Sequence, residues 1–435
     1  MRNQPLKVGV AGLGTVGTAL VSQIAHQRDH LAVRCGRTIE VVAVCARSRA
    51  KNRGLDLKSL RWFDDPTALA RSAGIDVFVE LMGGDGNPAK GAVEAALSAG
   101  KSVVTANKAL LAKHGVKLAA LAESRGVALN FEASVGAAIP IVKTLRDGLA
   151  GNRIERIYGI LNGTCNYILT RMEQDKLSFA ECLKEAQRLG YAEADPAFDI
   201  EGHDTAQKLA ILASLAFGTK LDQRAIYVEG ISSIAPADLA AAEELGYRVK
   251  LLGVAVKTPK GIEQRVHPTM VRKDSAIAQV MGVTNAVTVD AEGINPLTLV
   301  GPGAGGAATA SAVLSDIADI ARGVRTTPFG RPAARLTTVR KAPMQRHEGG
   351  YYIRLVARDK PGTAARIATR LAQQEISLES IVQRHDQATA GKPGSVPVIL
   401  ITYATSEDAV RKALAAVGRD KVISGRPQVI RIEKN

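Results

Sequence analysis

The feature that most constrains this chain lies at its amino terminus. A short apolar run, Lys7 to Ala11, passes at once into Gly12-Leu13-Gly14-Thr15-Val16-Gly17 and then into a helical pattern through about Gln27. Strand, glycine loop and helix in that order build the turn on which a dinucleotide pyrophosphate rests. Gly12 permits the tight turn, Gly14 lets backbone N–H groups approach a phosphate, and Gly17 lets the helix lie close on the sheet. Gly12, Leu13, Gly14, Thr15, Val16 and Gly17 are therefore the expected cofactor loop. The next strand, Ile39 to Cys45, should end on the residue that reads the adenosine ribose. A chain selective for NAD places a carboxylate there, whereas this one continues Ala46-Arg47-Ser48-Arg49-Ala50-Lys51. The planar forks of Arg47 and Arg49 suit a 2′-phosphate, so NADP(H) is expected, with NAD(H) as the second choice.

Beyond that point strands and helices alternate. Strands are predicted near Ile75 to Leu81, Ser102 to Thr105 and Ala128 to Glu132, with helices from Lys90 to Ala99 and Ala109 to Arg125. This order implies a mostly parallel sheet with ligands collecting at the strand ends, where Gly83 and Lys108 sit. Residues 1–140 thus read as a Rossmann-type nucleotide-binding domain. A second glycine-rich piece, Leu299 to Gly306, precedes a helix at 307–322, which suggests that the chain returns to complete that domain by about 300–325. Residues 141–299, of mixed strand and helix order, read as an α+β substrate and dimerisation domain. The Pro-, Arg- and Gly-bearing stretch 326–349 reads as a linker, and 350–435 gives the βαββαβ order of a ferredoxin-like module. The expected fold class is α/β.

Composition excludes several functions. At 435 residues and 46% hydrophobic content, the chain can bury two or three cores. Its four cysteines are scattered without CxxC or histidine companions, so neither a disulfide framework nor a zinc site is expected, and a reducing cytoplasm fits. No run approaches the roughly 18 apolar residues of a membrane span, and no signal-peptide core is visible. The net charge of +15 comes from dispersed basic residues in a chain with 4% aromatics, a pattern that points away from nucleic acid and towards attraction of an anionic cofactor and substrate.

Chemistry concentrates in AQRLGYAEADPAFDIEGHDTAQK, Ala186 to Lys208. Asp204 and Lys208 lie four apart at the front of an apolar helical run, so they share one helix face and can act on one small polar molecule. By itself such a pair is an ordinary solvated ion pair. His203 between them and Gly202 reads as a structural neighbour.

The spacing of Ala186, Gly190-Tyr191-Ala192, Asp195-Pro196, Asp199-Ile200, Gly202, Asp204 and Lys208 resembles the signature of the homoserine dehydrogenases. NGTCNYIL at Asn162 to Leu169 and VVTANKALLA at Val103 to Ala112 match as well. The resemblance covers essentially the whole chain, in the form that carries a carboxy-terminal ACT domain. With the first strand so close to Met1, the monofunctional form is expected rather than a kinase fusion. It implies reversible NAD(P)H-dependent reduction of L-aspartate 4-semialdehyde to L-homoserine, on the route to threonine, methionine and isoleucine. By resemblance Lys208 is the proton donor or acceptor, Asp204 its polar partner, and Lys108 a second lysine between cofactor and substrate. Glu193 holds the substrate amino group, Asp199 lines the site, and Gly190 and Gly305 approach the cofactor through their backbone. Glu132, with the carbonyls of Val135, Ala137 and Ile139, resembles a monovalent-cation loop suited to Na⁺. Threonine is the implied effector at the ACT region, and a homodimer or homotetramer the implied assembly. The alternatives are another NADP-linked oxidoreductase of an acidic carbonyl compound, or a nucleotide-sensing ACT protein without catalysis.

Overall fold

The computed structural model describes residues 4–338, 348–383 and 394–433. Its first sheet has six parallel strands in the spatial order Arg61–Phe63, Ile39–Cys45, Leu6–Ala11, Val77–Glu80, Ser102–Thr105 and Leu129–Asn130. Val8, Val10, Val77, Phe78 and Val79 are wholly buried, because helices cover both faces and a central parallel strand has no wet side. The strand order reverses between Leu6–Ala11 and Val77–Glu80, and the crevice beyond their carboxyl ends is where such sheets take ligands. Gly12 occupies that crevice with φ of 105°, and a Cβ there would fall 2.4 Å from the Leu81 carbonyl oxygen. Only glycine fits.

The helix Gly306–Ala321 does return to this layer. It lies on the helix Thr15–His26 so closely that a Cβ on Gly306 would come within 2.7 Å of Thr15. Gln23 Nε2 donates to the Ala307 carbonyl at 3.0 Å, and the Glu132 N–H donates to Asp316 at 2.8 Å. Two helix amino termini therefore open towards the same crevice.

The second sheet carries a run of nine strands: Leu297–Pro302, Thr284–Ala291, Ile154–Ile160, Tyr247–Thr258, Gly261–Arg272, Ile423–Glu433, Glu348–Arg358, Ser395–Thr402 and Leu378–Gln383. The last four take the spatial order 4-1-3-2 of a ferredoxin-like module. Its strand Ile423–Glu433 pairs in parallel with Gly261–Arg272, Thr269 opposite Arg431 and Val271 opposite Glu433. The carboxy-terminal module thus extends the sheet of the middle region.

Several local expectations need correcting. The first half of the glycine-rich piece Leu299 to Gly306 is strand, paired antiparallel with Thr284–Ala291. The strand expected through Glu132 stops at Asn130 and gives way to a tight turn, Glu132–Ser134. In the middle region the helix Gly163–Asp175 starts where the Asn162 side chain accepts from the Cys165 N–H and caps it. Residues 326–338 are packed against the body: Phe329 is wholly buried with its ring 5.1 Å from Phe131, and Ala333 donates its N–H to Glu123. The rest of the expected linker, 339–347, lies outside the described residues.

Candidate active site

The helix His203–Phe217 follows Gly202, which turns in the left-handed region at φ 85°. The apolar residues that follow drive this helix into the core, and the face they share carries Asp204 and Lys208 inward with them, to 4% and 9% exposure. Lys208 Nζ donates to the Leu161 carbonyl at 2.6 Å and lies 3.0 Å from Asp204 Oδ2. Lys108 opens the helix Lys108–Arg125 of the nucleotide-binding half, capped by Asn107, and brings its Nζ to 2.9 Å from the other oxygen of Asp204. One carboxylate therefore holds two lysines that arrive from two different layers of the molecule.

Asn162 adds a third donor. Its Nδ2 lies 2.9 Å from both Asp204 Oδ2 and Asp199 Oδ1, while its Oδ1 caps the helix Gly163–Asp175. Burial alone would push the Asp204 carboxyl up. The charges of Lys208 and Lys108, with hydrogen bonds from Lys108 and Asn162, outweigh that and hold it well below the usual carboxylate range. Asp199 goes the other way: burial and the neighbouring Asp204 charge raise it, opposed by the Asn162 hydrogen bond. The two carboxyl groups are thus pushed apart, Asp204 towards permanent charge and Asp199 towards protonation.

These groups sit in a cleft of about 780 Å³. Its walls include Lys108, Asn162, Asp199, Asp204, Lys208, Gly190, Glu193, Val135, Ala137 and Gly305, together with Thr164, Val283 and Thr284. Glu193 is exposed at the cleft, and its loop is tied back by Gln187, whose Nε2 donates to the Glu193 carbonyl at 3.1 Å. Gly190 and Gly305 both have positive φ, 76° and 111°, with open space where a side chain would stand.

The glycine loop fits a dinucleotide. A Cβ on Gly17 would fall 2.0 Å from the Gly12 carbonyl oxygen, whereas Gly14 and Gly83 face open space, so the loop is closed towards the protein and open towards the crevice. Leu13 is buried beneath it, and Thr15 and Val16 begin the helix whose free N–H groups point outward. Arg47 and Arg49 are exposed on the loop after Ile39–Cys45. Sequence reasoning stopped short of Arg53, which ties the two loops together: its guanidinium donates to the Leu13 carbonyl at 3.1 Å and to Ser48 at 2.7 Å. Its signal was membership in the same basic run.

Glu132, expected as a cation ligand, also has a structural use. The Glu132 carboxylate is buried and accepts the N–H groups of Val142 and Lys143, each at 2.8 Å, so it caps the helix that starts at Ile141. Burial and the nearby Asp316 push it up to about 7 against those hydrogen bonds. Ala137 turns at φ 48° in the loop between them, and Ile139 spends its carbonyl on the Ile141 N–H. Among the described residues no group of three or more His, Cys, Asp or Glu could hold a metal.

Comparison with known proteins agrees with this architecture. The model of the homoserine dehydrogenase family matches residues 140–318, that of the homoserine dehydrogenase NAD binding domain 12–132, and that of the ACT domain 351–419. A homoserine dehydrogenase of Neisseria gonorrhoeae is 44% identical over 99% of each chain, and one of Pseudomonas aeruginosa 42% over 99% of each. The crystal structure of a homoserine dehydrogenase from Thiobacillus denitrificans superposes with a TM-score of 0.93 at 41% identity, covering 99% of both chains. A hyperthermophilic archaeal homoserine dehydrogenase in complex with NADPH matches 73% of this chain and 97% of its own, at a TM-score of 0.62 and 28% identity. The chain belongs to the homoserine dehydrogenase family, in the form with a carboxy-terminal ACT domain.

Proposed function

We propose that the Asp204 cleft catalyses the reversible reduction of L-aspartate 4-semialdehyde to L-homoserine with NADPH preferred over NADH. The observation that carries this reading is the single buried carboxylate holding Lys108 and Lys208 in a cleft between two glycine loops. A bound nicotinamide would supply the hydride at the aldehyde carbon. Everything else falls to the chain. As the carbonyl oxygen gains charge, an ammonium beside it stabilises that charge and hands over a proton, completing the alcohol. An ammonium has three N–H donors, and Lys208 commits two of them, to Leu161 and Asp204, leaving the third for the substrate oxygen. Lys108, on the other Asp204 oxygen and less buried, stands between the nucleotide layer and the substrate. The exposed Glu193 carboxylate suits the substrate ammonium, and Asp199 completes the polar wall.

Arg47 and Arg49 support the NADPH preference, since no carboxylate occupies the end of the second strand. The loop from Glu132 to Ile139 is read as a monovalent-cation site suited to Na⁺, with the Glu132 carboxylate and the carbonyls of Val135, Ala137 and Ile139 as its ligands. We read the enzyme as a cytoplasmic homodimer or homotetramer in threonine, methionine and isoleucine biosynthesis; among the described residues no helix is long and apolar enough to cross a membrane. Threonine is the proposed effector, because Gly362 at φ 84° opens the helix Thr363–Ala372, whose N–H groups after Thr363 suit an amino-acid carboxylate. Titration calorimetry with threonine and the oligomer mass from light scattering test these two points. For the reaction itself, absorbance at 340 nm should show NADPH consumed with the semialdehyde. Glu193→Gln should raise KM for homoserine about tenfold or more with smaller loss of kcat; unchanged KM removes Glu193 from the amino-group role.

A further inference from the structure

The helix Gly163–Asp175 does more than hold Asp204 through its Asn162 cap. Gly163, Asn166 and Thr170 lie three and seven apart, on one face, and all three meet the loop Val280–Thr284. A Cβ on Gly163 would come 2.6 Å from the Val283 carbonyl oxygen, so the helix start packs directly under that residue. Asn166 Nδ2 donates to the carbonyls of Val280 and Thr284, at 3.2 and 3.1 Å. Thr170 Oγ1 accepts the Gly282 N–H at 3.1 Å. Val283 and Thr284 line the cleft, Thr284 paired with Pro302 of the neighbouring strand.

Behind this stitch stands Lys250, on the strand Tyr247–Thr258 and 1% exposed. Its Nζ donates to Asn166 Oδ1 at 2.9 Å and to the Val280 carbonyl, with Met281 Sδ at 3.4 Å. These three partners are neutral. The nearby Glu173 is instead paired to Arg248 at 2.8 Å. Burial, with the Arg248 charge adding and Glu173 opposing, brings the Lys250 ammonium down to about 7. A neutral amine still has two N–H donors, enough for Asn166 and Val280, so the contact pattern survives loss of the charge. A lysine used for charge would sit beside a carboxylate; this one is used as a rigid double donor.

We propose that Lys250 and Asn166 are positioning residues for catalysis, fixing the Val280–Thr284 loop and thereby the cleft wall that Val283 and Thr284 present to the bound substrate and cofactor. The proposal rests on the cleft being the active site. Lys108, Asp204 and Lys208 have their own supports in Asn162 and Leu161, so loosening the loop should leave the proton-transfer geometry in place and weaken binding. A shift of the wall is felt mainly in KM.

The test is Lys250→Met in the full chain, which keeps the volume and removes a buried ammonium, so folding should persist. Expected is a rise of about fivefold or more in KM for homoserine or NADP with kcat within about threefold, together with faster hydrogen exchange at amides 280–284 and unchanged exchange in the helix His203–Phe217. Thr170→Val cuts the Gly282 contact with no charge at stake and should give the same pattern, more weakly; it decides the matter should Lys250→Met not fold. Unchanged KM and unchanged exchange in a folded variant overturn the proposal. Because exchange reports on the loop without any turnover, a failure of the proposed reaction would leave that measurement standing, and the two failures are distinguishable.

Discussion

Replacing Lys208 by alanine removes the donor aimed at the substrate oxygen and leaves most of its surroundings in place. A positioned proton donor contributes on the order of 10²–10⁴-fold, or about 3–5 kcal/mol of barrier at about 1.4 kcal/mol per decade. Lys108 occupies the other oxygen of the same carboxylate and is a third exposed, so it can supply part of the charge stabilisation but not the buried geometry. The expected loss in kcat therefore lies near 10²–10³-fold. Folding should persist, because Asp204 keeps Lys108 and Asn162; the unpartnered Leu161 carbonyl costs about 1–3 kcal/mol. The sign of the acid response follows from Asp204. Its carboxyl is held below its ordinary value in the folded state, so its contribution to stability is present above about pH 4 and is lost as pH falls further. With Lys208 gone that contribution shrinks, and the variant should lose less stability on acidification than wild type. Stopped assays of NADPH oxidation, alongside urea unfolding at pH 7 and pH 3, measure both. A folded Lys208→Ala enzyme with kcat within tenfold of wild type would refute the assignment.

Substituting Arg47 should narrow the ratio of kcat/KM between NADPH and NADH, and a wild-type enzyme that prefers NADH sinks the phosphate-reading argument. Glu132 and Asp316 titrate as a buried pair, raised to about 7 and about 6 chiefly by burial. Because the folded state holds these protons more tightly, their contribution is present below about pH 4 and is lost as pH rises through those values. Unfolding free energy should therefore fall by on the order of 2 kcal/mol between pH 5 and pH 8, and Glu132→Gln should flatten that slope; an identical slope in the variant removes Glu132 as its source. Ending the chain at about residue 338 should lower the melting temperature and the basal activity together, and a monodisperse truncation with full activity would show that the shared sheet is dispensable.

The amino-terminal half was legible because its signals are local. Leu6–Ala11, Gly12, Gly14 and Gly17 are adjacent in sequence, and the backbone forces that make them a turn act over a few residues. The Asp204 and Lys208 pair was legible as a face, but its meaning was not. Nothing in the spacing says that Lys108 will arrive from another layer or that Asn162 will bridge two carboxylates. Those contacts span 96 and 42 positions and exist only once the sheets are packed. Glu132 shows the complementary case. Its loop resembles a cation site, yet the competing use, capping the helix at Ile141, depends on where that helix starts. Asn166 carried only its place in the NGTCNYIL match and Lys250 no signal at all, since a polar residue on a helix and a lysine in a strand read as solvated until burial is known.

The carboxy-terminal module is the sharpest case. Its βαββαβ order is readable in isolation and suggests a unit that hangs on a linker. The structure joins it through three linked features. Strand Ile423–Glu433 completes the edge of Gly261–Arg272, and Tyr352, Ile430 and Ile432 are buried in the same core cluster as the helix His203–Phe217. Asp238, wholly buried in the middle region, takes Tyr352 and both prongs of Arg354. Arg431, 2% exposed, lies between Glu407 of its own module and Glu229 of the middle region. Glu229 in turn precedes Gly230, whose Cβ position would strike Ile200 and Glu201, immediately before the Gly202 that caps the helix His203–Phe217. A shared sheet, buried ion pairs and a common apolar cluster together argue against independent movement of the two regions. An exposed edge and a stripped apolar face are what truncation would leave. Loss of threonine response on truncation would then be inseparable from loss of structure, and point substitutions around Gly362 are the sound way to ask what the module senses.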